Sequence, residues 1–199
     1  MRRLAVASLA LPFALLLAVG PVAADTGPGG SGTSFFSFST TCSTSGARQV
    51  CIDSNLNAFA GEGGDSETCL DLFTYSVSSN GRFTFISDQF GCAPTASLTI
   101  GSDFSVTLGS TDIAMQTCAA HKRQCSGSTN ATVSAHDSVV GDVAKTTTRS
   151  TTVQGNCTTR TTTTETSAEL AGTMTINGTT VDEQGFLDIV DQSFTIRCK

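Results

Sequence analysis

Few residues in this chain have the types and spacing that chemistry needs. There are two histidines, His121 and His136, so imidazole catalysis or a multi-histidine metal site has little to draw on. Eight cysteines (Cys42, Cys51, Cys69, Cys92, Cys118, Cys125, Cys157 and Cys198) all follow residue 24. An even number in an exported chain reads as a disulfide set, not as thiolates for zinc. Carboxylates are more plentiful. Gly61 to Glu67 (GEGGDSE) places three carboxylates among three glycines, oxygen ligands of the kind calcium takes, but the D-x-D-x-D-G spacing is absent and a solvated loop is the reading. Asp182-Glu183 and the Asp188/Asp191 pair could serve acid-base work, although acidic loops are ordinary in a chain of this charge. His121, Lys122 and Arg123 form the one basic cluster visible along the sequence, and they are the candidates for contact with an acidic partner. No catalytic residue, metal ligand or cofactor is assigned.

Two fragments are similar to pieces of trypsin-like proteases: Ala119-Ala120-His121, and Gly64-Asp65-Ser66. Ser66 is followed by Glu67-Thr68 where that family has the glycines of its oxyanion hole, and serine precedes histidine, so no such protease is read here. No G-x-S-x-G elbow, H-E-x-x-H pair or phosphate-binding glycine loop occurs. Sugar binding usually uses an aromatic platform, and the chain has no Trp and one Tyr. Its phenylalanines sit in alternating segments, where core packing is the expectation.

The elements that must position these residues read as strands. From Cys69 to Cys92, two β-type runs meet at Asn80-Gly81, and a two-residue type I′ turn there sets Tyr75 opposite Ile86, Val77 opposite Thr84 and Cys69 opposite Cys92. Ser34 to Cys42 is aromatic and β-prone, with Phe36, Phe38, Thr40 and Cys42 on one face, and Gly46-Ala47 can bring Cys42 to Cys51. Cys118 and Cys125 bracket a short loop that a disulfide would pin, and Cys198 pairs most simply with Cys157, as one of the 105 connectivities that eight cysteines allow. Alternation marks Ala96–Gly101, Asp103–Gly109, Thr111–Cys118 and Ala131–His136 as strands, and Ala168, Leu170, Gly172, Met174 and Ile176 as one inward face. Asn177-Gly178 repeats the hairpin signal. Lys145 to Thr166 is mostly threonine and apolar on neither face, so it reads as a hairpin in water or a sheet edge. Ice binding would need a repeating rung, and none is present.

Met1 to Ala24 has Arg2 and Arg3 before an apolar run and ends Val22-Ala23-Ala24, the pattern of a secretory signal peptide. A mature chain from Asp25 has 9 basic against 17 acidic side chains, a formal charge of −8. That charge argues against nucleic acid as a partner, and no second apolar run spans a membrane. Residues 25–33 (DTGPGGSGT) read as a disordered leader, and 34–199 as a single β domain. The echo of Ile86-Ser87-Asp88-Gln89-Phe90 in Ile189-Val190-Asp191-Gln192-Ser193-Phe194 leaves open a duplicated β unit with halves near 34–109 and 110–199. The expectation is an all-β, disulfide-stapled antiparallel β-sandwich, Greek-key or immunoglobulin-like. It would be secreted, extracellular or associated with the cell envelope, and would act without catalysis by contact with a protein or cell-surface partner. The alternative is a small secreted hydrolase or inhibitor with a loop-built site, drawing on Asp65, Ser66, His121 and the 182–191 carboxylates. Asn130, Asn156 and Asn177 match the glycosylation sequon.

Overall fold

The computed structural model describes residues 30–61, 66–119, 125 and 127–198. Ten antiparallel strands fill these residues: β1 (Ser31–Ser45), β2 (Arg48–Gly61), β3 (Ser66–Ser78), β4 (Phe83–Pro94), β5 (Leu98–Ile100), β6 (Val106–Ala119), β7 (Ser128–Val139), β8 (Ala144–Gln154), β9 (Cys157–Ile176) and β10 (Thr179–Cys198). No helix occurs among the described residues. None is therefore long and apolar enough to cross a membrane, which says nothing of crossing by strands.

The sequence suggests two facing sheets. The described strands instead belong to one sheet, ordered β10-β1-β2-β3-β4-β6-β7-β9-β8, and β9 also pairs with β10. The path therefore returns on itself as a ring of eight strands, with β8 appended outside it and β5 paired to the start of β6. Almost every strand pairs with its neighbour in sequence, so the sheet grows as a meander, and a strongly twisted meander of this length closes in preference to leaving edges. β10 makes closure feasible because it pairs with β9 along one edge and with β1, Ser31 to Phe38, along the other. Thr111–Cys118 is continuous with the preceding segment in β6, where the register shifts between Leu108 and Thr111. β1 begins at Ser31, inside the Gly-rich stretch read as a leader, because Ser31, Gly32 and Thr33 pair with Asp191, Val190 and Ile189.

Alternation sends one side of each strand into the ring. Phe35, Leu56, Leu70, Val106, Leu108, Ile113, Met115, Val133, Leu170, Met174 and Leu187 are at most 1% exposed and form the core, where each such side chain contributes about 1.5–3 kcal/mol. On β9 the inward set includes Ala168, Leu170 and Met174, with Glu169 and Thr173 outward.

Four disulfides join Cys42 to Cys51, Cys69 to Cys92, Cys118 to Cys125 and Cys157 to Cys198, and no described cysteine is free. Such a set fits an oxidising compartment outside the cytosol.

The central hairpin differs from its expected form. Tyr75 pairs with Phe85 and Val77 with Phe83, and the register shifts at Thr74/Tyr75 so that Cys69 still faces Cys92. Gly81 has φ 79° while Asn80 stays at negative φ, and the Gly81 amide donates to the Ser78 carbonyl. This is a three-residue loop, a type I turn followed by a left-handed glycine. The Asn80 carboxamide oxygen accepts from Ser78 Oγ at 2.6 Å and from the Arg82 amide at 3.2 Å, which closes the loop on itself. At Asn177-Gly178 both residues have positive φ (51° and 79°), which makes the two-residue I′ turn.

Candidate binding surface

The residues named from sequence do not gather. His121, Lys122, Arg123 and Asp65 lie outside the described residues, as does most of the GEGGDSE loop. Ser66 starts β3 opposite Ala60. Asp182 and Asp188 point outward from β10 and face Thr173 and Ser167, and Asp191 lies further along, facing Thr164. His136 is exposed on β7, with Nδ1 3.0 Å from Thr107 Oγ1. Glu67 lies near the sulfurs of Cys69 and Cys92, but those are bonded to each other. One carboxylate then remains, too few oxygens for a cation.

The ring does assemble an outward face that runs across β10, β1, β2, β3 and β4. Register gives its rows: Phe186, Phe36, Asn57, Cys69, Cys92; then Gln184, Phe38, Asn55, Asp71, Phe90; then Thr40, Asp53, Phe73, Asp88. Beyond these, Cys42, Cys51, Tyr75 and Phe85 form a row, and Val77 faces Phe83. Rings stack along this face: Phe73 with Phe85 at 5.1 Å, Tyr75 with Phe83 at 5.0 Å, and Phe36 beside Phe38 at 6.2 Å. Core packing, the default for phenylalanine in alternating strands, holds for Phe35 alone among the fully buried side chains. Phe36, Phe38, Phe90, Phe186 and Phe83 are 36–54% exposed. Alternation alone does not say which face turns inward, and here the ring interior takes Phe35, Ser37 and Ser39 while the phenyl rings between them face out.

Acids are set between the rings. Asp53 accepts from Thr40 at 2.8 Å and from the Tyr75 hydroxyl at 3.4 Å. Asp71 and Asp88 are diagonal neighbours across β3 and β4, and each has a buried, unpartnered oxygen. Partial burial, then a hydrogen bond that protonated Asp71 donates to the Asp88 carboxylate, and the charge of that carboxylate, push Asp71 up to about 7. Asp71 therefore keeps its proton to near neutrality. Beside it is a recess of about 200 Å³ lined by Asn55, Asn57, Asp71, Phe90 and the Cys69–Cys92 bridge. A second recess, about 420 Å³, opens where β8 leaves the ring, between Asp142, Ser167, Glu169, Phe186 and Asp188. Burial, and secondarily Glu165, raises Asp188 there.

Inside the ring is a second carboxyl pair that the sequence did not reveal. Asp137 on β7 and Glu183 on β10 both pair with Gly172 of β9 and meet across it, 0% and 4% exposed. Ser37 Oγ donates to Glu183 Oε2 at 2.5 Å, and both Asp137 oxygens and Glu183 Oε1 have no protein partner. Burial is the main cause raising both, with Glu183 reaching about 8. In the sequence Glu183 reads as one of a loop pair, and only the register of β9 against both neighbours shows otherwise.

Comparison with family models, with curated proteins and with solved structures finds no match to this chain.

Proposed function

We propose that the protein is an exported, non-enzymatic binding module whose working surface is the outward face of β10, β1, β2, β3 and β4, in contact with a protein or envelope partner. The observation that carries this reading is the set of solvent-facing rings on one face of the sheet, Phe186, Phe36 and Phe38 on the neighbouring β10 and β1 and Phe83 and Phe90 on β4, beyond β2 and β3. Large apolar side chains left exposed together on one face mark interaction surfaces. Asp53, Asp71 and Asp88 between the rings favour a partner that presents cationic groups around apolar ones. The disulfides hold the face rigid, so little ordering cost would oppose association.

The test uses envelope preparations of the producing cells. The triple variant Phe36→Thr/Phe38→Thr/Phe186→Thr should lose retention on them while its melting temperature moves by no more than a few degrees, since exposed substitutions usually change stability by about 0.5 kcal/mol each. Undiminished retention would refute the reading. A hydrolase reading has one specific observation in its favour, the Asp71–Asp88 pair beside an open recess, which is an acid-base arrangement. Under it, Asp71→Asn would abolish a hydrolytic activity that the ring variant retains.

A further inference from the structure

Beyond residue 191 of β10, β1 no longer pairs, and β9 there lies between β8 and β10 alone. These strands extend past the ring as a three-stranded arm, closed at its tip by Cys157–Cys198. Register is unbroken along both ladders, Ala144–Ser167 to Gln154–Cys157 and Asp188–Ser167 to Cys198–Cys157, so the two faces of the arm can be read from pairing. One face continues the ring exterior and carries Thr148, Thr161, Thr163, Glu165, Val190 and Phe194. The other continues the inward face of Thr166 and Ala168.

That inward-continuing face gathers positive charge that the sequence scatters. Arg149 pairs with Thr162, Arg160 with Thr151 and Thr195, and Arg197 with Thr158. Measured along β9, the three arginines therefore stand level with residues 162, 160 and 158, one per strand, in a diagonal line. Diagonal neighbours of this kind are about 7–8 Å apart. Lys145 lies on the same face, opposite Thr166. All four are exposed, and none forms an ion pair among the described residues. They are four of the nine Lys and Arg residues that follow residue 24, in a chain whose net charge is −6. Asp191, paired with Thr164, is the acid on this face. The sequence shows only His121 to Arg123 as a basic cluster. The second one exists because odd positions of β8 and even positions of β9 share a face.

Between the arginines are hydroxyls: Thr151, Thr158, Thr162, Ser193 and Thr195. No aromatic side chain lies on this face, so it offers bases nothing to stack on. A guanidinium takes a carboxylate with two parallel hydrogen bonds, and the flanking hydroxyls both donate and accept. Fixed cations at regular intervals in a field of hydroxyls are complementary to a polymer that alternates anions with hydroxyls. We propose that this face of the arm docks an acidic polysaccharide, with Arg149, Arg160 and Arg197 each engaging a carboxylate along one glycan chain. The surface is separate from the aromatic face of the ring and does not depend on it.

The experiment measures binding of the full chain to polygalacturonate as a function of salt. Retention at low salt that is lost by about 0.3 M NaCl, where screening is short-ranged, is expected. Arg149→Gln/Arg160→Gln/Arg197→Gln should weaken it by at least about tenfold with an unchanged melting temperature, while the Phe36/Phe38/Phe186 variant should bind as the parent does. Equal weakening by Lys122→Gln/Arg123→Gln would place the contact elsewhere and overturn the proposal. So would equal binding of neutral dextran, tighter binding of an oligothymidylate, or arginine-dependent self-association in sedimentation without glycan binding.

Discussion

Gly172 has no side chain because the His136 carbonyl and Asp137 occupy the space that one would need. It is paired on both edges, with Asp137 on one and Glu183 on the other, and a Cβ there would collide with the His136 carbonyl and with Asp137 itself. Gly172→Ala should therefore destabilise by about 2–4 kcal/mol, more than overpacking alone, because it also displaces the buried Asp137 carboxyl, which has no protein hydrogen-bond partner. Urea denaturation reads the loss directly. A sequence can show that Gly172 lies on an inward face, and alternation does show it. It cannot show that both facing residues are acids, since that depends on which strands flank β9.

Among the elements, the two Asn-Gly turns mark the limit of local reading. The same dipeptide makes a two-residue turn at Asn177 and a three-residue loop at Asn80. Asn177 is held from outside its hairpin, since its amide donates to the Thr132 carbonyl and its Oδ1 accepts from the Thr132 amide, each at 2.9 Å. Asn80 is bound only within its own loop. The cysteine register of β3 and β4 could be written down from a turn of the wrong type because the shift at Thr74/Tyr75 compensates for the extra loop residue. Strand identity was legible from period and composition; turn type was not, because a neighbouring strand decides it. The arm follows the same division. Its threonines mark β8 as an exposed edge, and every residue of β8 is exposed, but its basic face depends on β10, which arrives from far along the chain. Cys157→Ser/Cys198→Ser should free the tip. Hydrogen exchange should then rise by an order of magnitude or more at 157–163 and 192–198, with the core strands β6 and β7 unchanged, as local opening below the global limit predicts.

For the whole molecule, titration has one dominant sign. Asp71, Asp137, Glu183 and Asp188 are all raised, chiefly by burial, and among the described residues only Asp103, at an exposed turn beside Ser105, is lowered. A raised carboxyl binds its proton more tightly in the folded state. Its contribution is complete below the unfolded value near 4 and is lost as pH climbs through the folded value, about 7 for Asp71 and about 8 for Glu183. Stability should therefore be greatest near pH 4 and decline toward pH 8, by up to about 1.4 kcal/mol per pH unit for each group in that window. Thermal melting across pH 4–9 checks the slope, and Glu183→Gln should flatten it while raising the melting temperature at pH 8. That the chain is all-β and tied by four bridges was readable in advance. Ring closure was not, since no stretch of sequence records that β10 has two partners within the ring.

The seam between β1 and β10 joins the first strand to the last, Ser31 with Asp191 through Phe38 with Gln184, and no disulfide crosses it. Each bridge ties a strand to a near neighbour, over at most 41 residues. The cylinder cannot shut until β10 has emerged from the ribosome, so β1 waits with one flank unzipped while β2 to β9 are made. Tension applied to the two ends should peel this joint first, leaving the covalently tied hairpins intact on either side.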